Sequence, residues 1–189
     1  MIKLLKKLII LTIAVGIVLS IYKFKDIQFF ILKKIYIRQY EEYVTLYSNE
    51  YNVDENLIYA IIKAESNFNK DAISNKEAKG LMQIVYSTAV DVAKILNIEI
   101  NEQDIMDPKT NIMLGTKYIS MLISKYKNIP IALAAYNAGS GNVDKWIEEG
   151  TLQPNGENIE NIPFKETNNY VRKILRDYKI YKEIYKGDN

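Results

Sequence analysis

In the stretch Ala60-Ile61-Ile62-Lys63-Ala64-Glu65-Ser66, one acid stands among aliphatic residues. Ile58, Ile61, Ile62 and Glu65 fall at i, i+3, i+4 and i+7, so a helix here carries a single carboxylate on its own apolar face. Removing a carboxylate from water disfavours its charged form and lifts its pKa toward neutrality, where one group can both give and take a proton. Glu65 is the candidate catalytic residue, although a salt-bridged helix residue would leave the same pattern. The rest of the available chemistry is narrow. With no cysteine and no histidine, thiol nucleophiles, Ser-His-Asp relays, disulfides and nearly all zinc sites are excluded. Carboxylates, hydroxyls, tyrosines and amides remain.

The elements that must position these groups fit one domain plus an appendage, since 189 residues at 48% apolar content suffice for a real core. The net charge of +2 hides an asymmetry: residues 1–50 hold eight Lys/Arg against four Asp/Glu, and residues 51–189 hold seventeen against nineteen. A globular part with a slight acidic excess has no electrostatic footprint for nucleic acid, which is excluded as a partner. Basic residues collect instead around an apolar segment. Lys3, Lys6 and Lys7 precede a charge-free run from Leu8 to Tyr22. As a helix this run covers only ~22 Å, so spanning a ~30 Å hydrocarbon core requires Lys7 and Lys23 to reach outward and Phe24 to sit at the interface. Ser20-Ile21-Tyr22-Lys23-Phe24 offers no small-x-small cleavage site. The reading is an uncleaved signal anchor over 1–25, single-pass in the cell membrane, with a linker or stalk helix over 26–44 and the catalytic domain of 45–185 on the extracytoplasmic face.

From Asn52 onward helix signals follow in series, and no stretch alternates with period two. Asn52 with Glu55 reads as a capping box opening the helix that ends near Asn67. Ser87 or Thr88 opens a helix to about Asn97. Asp107-Pro108 reads as a cap with proline at the first helical position, leading a helix to Tyr126. Pro130 begins an alanine-rich helix that stops at Asn137-Ala138-Gly139, one or two turns follow at Val143–Glu148, and a last helix runs from about Glu166 to Tyr185. The domain is mainly α.

The motifs along these helices come in a recognisable order. Glu65-Ser66 with Phe68, Ala72-Ile73-Ser74, Gly80-Leu81-Met82-Gln83-Ile84, Asp107-Pro108 with Asn111-Ile112 and Gly115, Ala134-Ala135-Tyr136-Asn137-Ala138-Gly139, and Glu166-Thr167 with Tyr170-Val171 resemble the soluble lytic transglycosylase catalytic domain, a goose-type-lysozyme-like family that cleaves peptidoglycan. The resemblance spans roughly residues 45–183. It implies a mainly α, lysozyme-like transglycosylase domain, here preceded by the N-terminal membrane-anchor helix, that acts on peptidoglycan glycan strands without metal or cofactor. It further implies Glu65 as the acid, with Ser74, Met82, Gln83, Tyr136, Asn137, Glu166 and Tyr170 binding substrate.

Each assignment has a plainer counterpart. Ser74 could only turn its loop, Gln83 could only satisfy backbone, and Glu166 could be an acid favoured by a helix N-terminus; Trp146 reads as a core anchor. Two positions depart from the family pattern: Glu77 replaces a permissive glycine and Tyr86 a proline. A carboxylate such as Glu77 or Asp71, if held across a water from Glu65, would favour a hydrolytic muramidase on the same scaffold. A glycan-binding scaffold module of an envelope machine is the remaining rival.

Overall fold

Helix formation begins at once and continues past the expected stalk boundary. The computed structural model describes residues 2–187, and its first helix, α1, runs unbroken over Ile2–Ile35. It stops at Tyr36, and the chain resumes as α2 (Glu41–Tyr51) after Tyr40 adopts φ 59°. The expected stalk helix over 26–44 is instead divided between the end of α1 and the start of α2, because the left-handed Tyr40 cannot continue a helix while Glu41 and Glu42 suit the start of the next. The capping box is also placed differently. Asn52, left-handed at φ 52°, ends α2, and Asp54 caps α3 (Glu55–Glu65) by accepting the Asn56 N–H.

The remaining helices follow the punctuation closely. They are α4 (Tyr86–Leu96), α5 (Pro108–Tyr126), α6 (Ile129–Ala138), α7 (Ser140–Glu148) and α8 (Lys165–Ile184). Asp107 caps α5 through the Thr110 N–H, and Asn128 caps α6 through the Ile131 N–H, each with proline in the first turn. Short 3-10 turns lie at Asp104–Met106 and Ile159–Asn161. The only β pairing among the described residues is two isolated bridges, Ile73 with Lys79 and Lys79 with Ile84.

The chain divides into two units, Met1–Ile37 with Ile184–Asn189, and Arg38–Glu183. In the first, Lys33 lies over the rings of Phe29 and Tyr185, and the Tyr185 hydroxyl donates to the Tyr36 carbonyl. Among the described residues, no helix is long and apolar enough to cross a membrane. In the second unit α5 is central, with α2, α4 and α6 against it. The expected start at residue 45 falls inside α2, which this unit includes. Six consecutive residues of α3, Leu57–Ile62, are buried, each worth about 1.5–3 kcal/mol for the larger apolar side chains relative to exposure. A helix so enclosed has little freedom to move its last residue, and that residue is Glu65.

α8 fixes α3 along its length. The Tyr170 hydroxyl donates to Glu65, Lys173 Nζ to the Ala64 carbonyl at 3.2 Å, and the Tyr178 hydroxyl to Asp54. Tyr181 stacks on Tyr59 with ring centroids 5.7 Å apart. Trp146 is buried edge-on against Phe164, the core role expected of it.

Candidate active site

Glu65 ends α3, and the chain turns away sharply through Asn67 and Phe68, both at positive φ. The carboxyl keeps a face toward a cleft of about 400 Å³ while protein crowds its other sides. Burial, the dominant influence, pushes its pKa up to about 7, Glu166 adds to the rise, and the Tyr170 hydrogen bond and the Lys173 charge oppose it. The Tyr170 hydroxyl to Glu65 Oε1 distance is 2.5 Å. Tyr170 itself cannot ionise near neutrality, because burial and the neighbouring Glu65 push its own pKa well up.

The cleft gathers residues from four parts of the chain: Glu65 from α3, Ser74 and Gln83 from the loop between α3 and α4, Tyr136 and Asn137 from α6, and Glu166 from the first turn of α8. Tyr136 donates its hydroxyl to the Met82 carbonyl at 2.8 Å and packs its ring on Tyr118 at 5.2 Å. Asn137 Oδ1 accepts from Thr167 Oγ1 at 2.7 Å, which turns its amide nitrogen into the group left for a ligand. Gln83 Nε2 is committed to the carbonyls of Ala72 and Gly80, so its Oε1 is the end it can offer a sugar. Ser74 Oγ accepts the N–H groups of Lys76 and Ala78 and retains its proton for donation.

Met82 differs from the expectation. Its side chain is fully buried and lines no part of the cleft. It fills the space left by Gly115, where a Cβ would lie 2.5 Å from its sulfur. Only its backbone faces the site's machinery, through Tyr136. Glu77 and Asp71 also lie outside the cleft wall; both are exposed, and Asp71 pairs with Lys70 at 2.9 Å. Glu166 is the second carboxylate of the cleft. Among the described residues no group of three or more acidic side chains is arranged to hold a metal.

Two residues that hold the site together carry no role in the sequence reading, where they stand only within the motifs. Asn111, fully buried on α5, accepts the Met82 N–H and donates to the carbonyls of Lys79 and Ile105, tying the Gly80–Met82 segment to the core. Ser66 Oγ donates to the Leu81 carbonyl at 2.8 Å, joining the end of α3 to the same segment. The Asn111-Ile112 motif marks the position in sequence, but its tie to the loop 29 residues away has no local signal. Asn75, Lys76, Ala78 and Val85 complete the wall.

A depression of similar size, about 440 Å³, lies elsewhere, lined in part by Tyr51, Ser120, Lys127 and Asn128. It contains no carboxylate, and the Tyr51 ring is already engaged by Tyr47 and Lys117. Chemistry therefore favours the cleft at Glu65.

A mainly helical, lysozyme-like domain with one half-buried acid, Glu65, at the mouth of a polar cleft is the class that fold and site define. Residues 42–158 match the Transglycosylase SLT domain model, and the chain belongs to that family. A putative soluble lytic murein transglycosylase from Haemophilus influenzae is 38% identical over 149 residues, 77% of this chain and 25% of that protein. The membrane-bound lytic murein transglycosylase C of Sodalis glossinidius is 37% identical over 107 residues, 51% of this chain and 30% of that protein. The solved inactive mutant of the lytic transglycosylase Slt from Pseudomonas aeruginosa superposes with a TM-score of 0.73 at 31% identity, over 80% of this chain and 25% of that one. The chain thus spans about a quarter of the length of the first of these relatives.

Proposed function

We propose that the chain is a peptidoglycan lytic transglycosylase that cleaves the MurNAc-β-1,4-GlcNAc bond and leaves 1,6-anhydro-MurNAc ends. The observation that carries the reading is Glu65, held by Tyr170 at the cleft with a pKa near 7. A carboxyl in that range is substantially protonated at neutral pH and gives its proton to the glycosidic oxygen as the C1–O bond breaks. The N-acetyl carbonyl of the muramic acid stabilises the developing cation. The resulting Glu65 carboxylate then takes the proton of the C6 hydroxyl while O6 bonds to C1, which restores the acid. No water is consumed. Ser74, Gln83, Tyr136 and Asn137 hold the muramic acid ring so that O6 lies nearer C1 than any water, and proximity decides the outcome.

Glu166 shares the cleft with Glu65, and this favours one alternative, a hydrolase in which Glu166 activates water. Product mass separates the two: anhydro ends are ~18 mass units lighter than reducing ends, because no water is added. Digestion of purified peptidoglycan should give anhydro muropeptides, and Glu65→Gln should lower turnover at least ~100-fold with the fold retained. Clearance by Glu65→Gln at near wild-type rate would remove Glu65 from the mechanism, and predominantly reducing ends would turn the assignment to hydrolysis.

The same reading places α1 in the cell membrane as a single-pass anchor with the catalytic domain on the extracytoplasmic face. Its support is the charge-free run Leu8–Tyr22 flanked by lysines, the exposed apolar side chains Ile13, Val15, Ile17, Leu19 and Ile21, and the membrane-bound relative.

A further inference from the structure

Three charged side chains line the cleft: Glu65, Glu166 and Lys76. The first has a role in the proposed reaction and the second shares its wall, but a cation is not called for by a neutral sugar ring. Lys76 is presented by a well-fixed turn. The Glu77 N–H donates to the Ser74 carbonyl at 3.0 Å and the Ser74 N–H to the Ala78 carbonyl at 2.9 Å. Ser74 Oγ accepts the N–H groups of Lys76 and Ala78 at 3.2 and 3.1 Å. Glu77 takes the left-handed conformation, φ 58°, that reverses the chain at the turn's end. As a result Asn75 and Lys76 line the cleft and Glu77 does not. Among the described residues the Lys76 ammonium forms no ion pair.

Carboxylates on a peptidoglycan strand occur in two places, both attached to muramic acid. The lactyl arm carries one when it is unsubstituted, and the stem peptide carries others when the arm is amide-linked to it. With Glu166 repelling anions from its part of the wall, Lys76 is where such a group would be received.

We propose that Lys76 is a specificity-determining residue that pairs with a carboxylate of the substrate strand, so that the cleft selects acidic strands over strands whose carboxylates are amidated. The assignment rests on the glycan-cleaving reading of the site. Because the side chain is exposed, the pair is worth a modest factor that salt screens.

The test compares full-length wild type, Lys76→Met and Lys76→Arg on three soluble strand preparations. One has intact stems, one has stems removed by an amidase to leave lactyl carboxylates, and one has stem carboxylates converted to amides. Lys76→Met should raise KM about 3- to 5-fold at low salt on at least one acidic preparation, with kcat within twofold and no change on the amidated strands. Lys76→Arg should restore KM, and the difference should shrink as salt rises. Loss confined to the first preparation identifies the stem peptide as the carboxylate source; loss confined to the second identifies the lactyl arm. Binding measured in a Glu65→Gln background should give the same pattern in Kd, without dependence on turnover. An equal effect on all three preparations, or none on any, overturns the proposal, whereas normal selectivity in binding with no cleavage by wild type would overturn the catalytic reading alone.

Discussion

At Glu65 opposing influences act on one proton, and burial wins. The carboxyl would titrate near 4.5 in the open chain and does so at about 7 in the fold. For an acid whose folded pKa is raised, both states are protonated below 4.5 and burial carries no electrostatic cost. As pH rises from 4.5 through 7, the unfolded chain ionises first and stability is lost, by on the order of 2–3 kcal/mol. Glu65→Gln should therefore be more stable than wild type at pH 8 and equally stable at pH 4, as denaturant melts at the two pH values would record. Turnover should likewise fall above pH 7 as the acid form disappears. Tyr170→Phe removes a hydrogen bond that favours the carboxylate, so the alkaline limb of the pH–rate profile should move upward. Its kcat should fall about 10-fold, because the carboxyl loses the bond that orients it. An unshifted limb would mean that Tyr170 does not set the proton on Glu65.

At the scale of elements, the loop between α3 and α4 is held by the helix it lies against. Gly80, at φ 74°, allows the chain to approach Asn111 so closely that a Cβ would lie 2.3 Å from its side-chain nitrogen. Gly80→Ala meets both a strained backbone and a clash, and should cost on the order of 2–4 kcal/mol. Asn111→Ala leaves the Met82 N–H and the Ile105 carbonyl without the partner they have in the fold and removes one of two donors from the Lys79 carbonyl, a loss of similar size. Thermal melts would measure both, and if either matches wild type, the Asn111 tie does not hold the loop. The Tyr136 hydroxyl bonds the same segment at Met82, so both variants should also lower activity at temperatures where they remain folded.

For the molecule as a whole, the membrane assignment makes the clearest physical prediction. If α1 anchors the chain, all of it should sediment with membranes, resist extraction by high salt and alkali, and dissolve only in detergent. Recovery of a freely soluble form starting near residue 25 would show that the segment is cleaved instead. Its apolar run is short for a bilayer, so Lys7 and Lys23, which reach outward at its two ends, should both be needed for stable insertion.

The sequence alone determined the helical class and most helix boundaries, and it singled out Glu65 as the candidate acid. Period, caps and prolines are local: Asp107-Pro108 opens α5 and Asn128 with Pro130 opens α6 because the groups that satisfy a helix terminus lie within a few residues of it. The stripe of Ile58, Ile61, Ile62 and Glu65 likewise needed only helical geometry. Where two local signals competed, as at Asn52 and Asp54, the cap went to the residue whose side chain reached the new helix, and Asn52 closed the old one. Tertiary structure decided what crosses the chain. Tyr170 meets Glu65 from 105 residues away, Met82 turns into the core because Gly115 leaves room for it, and Asn111 reaches the Met82 N–H from 29 residues away. None of these has a local cause, since each depends on which surfaces pack together, and packing is settled by the volumes and polar partners of residues that sequence spacing does not bring near one another.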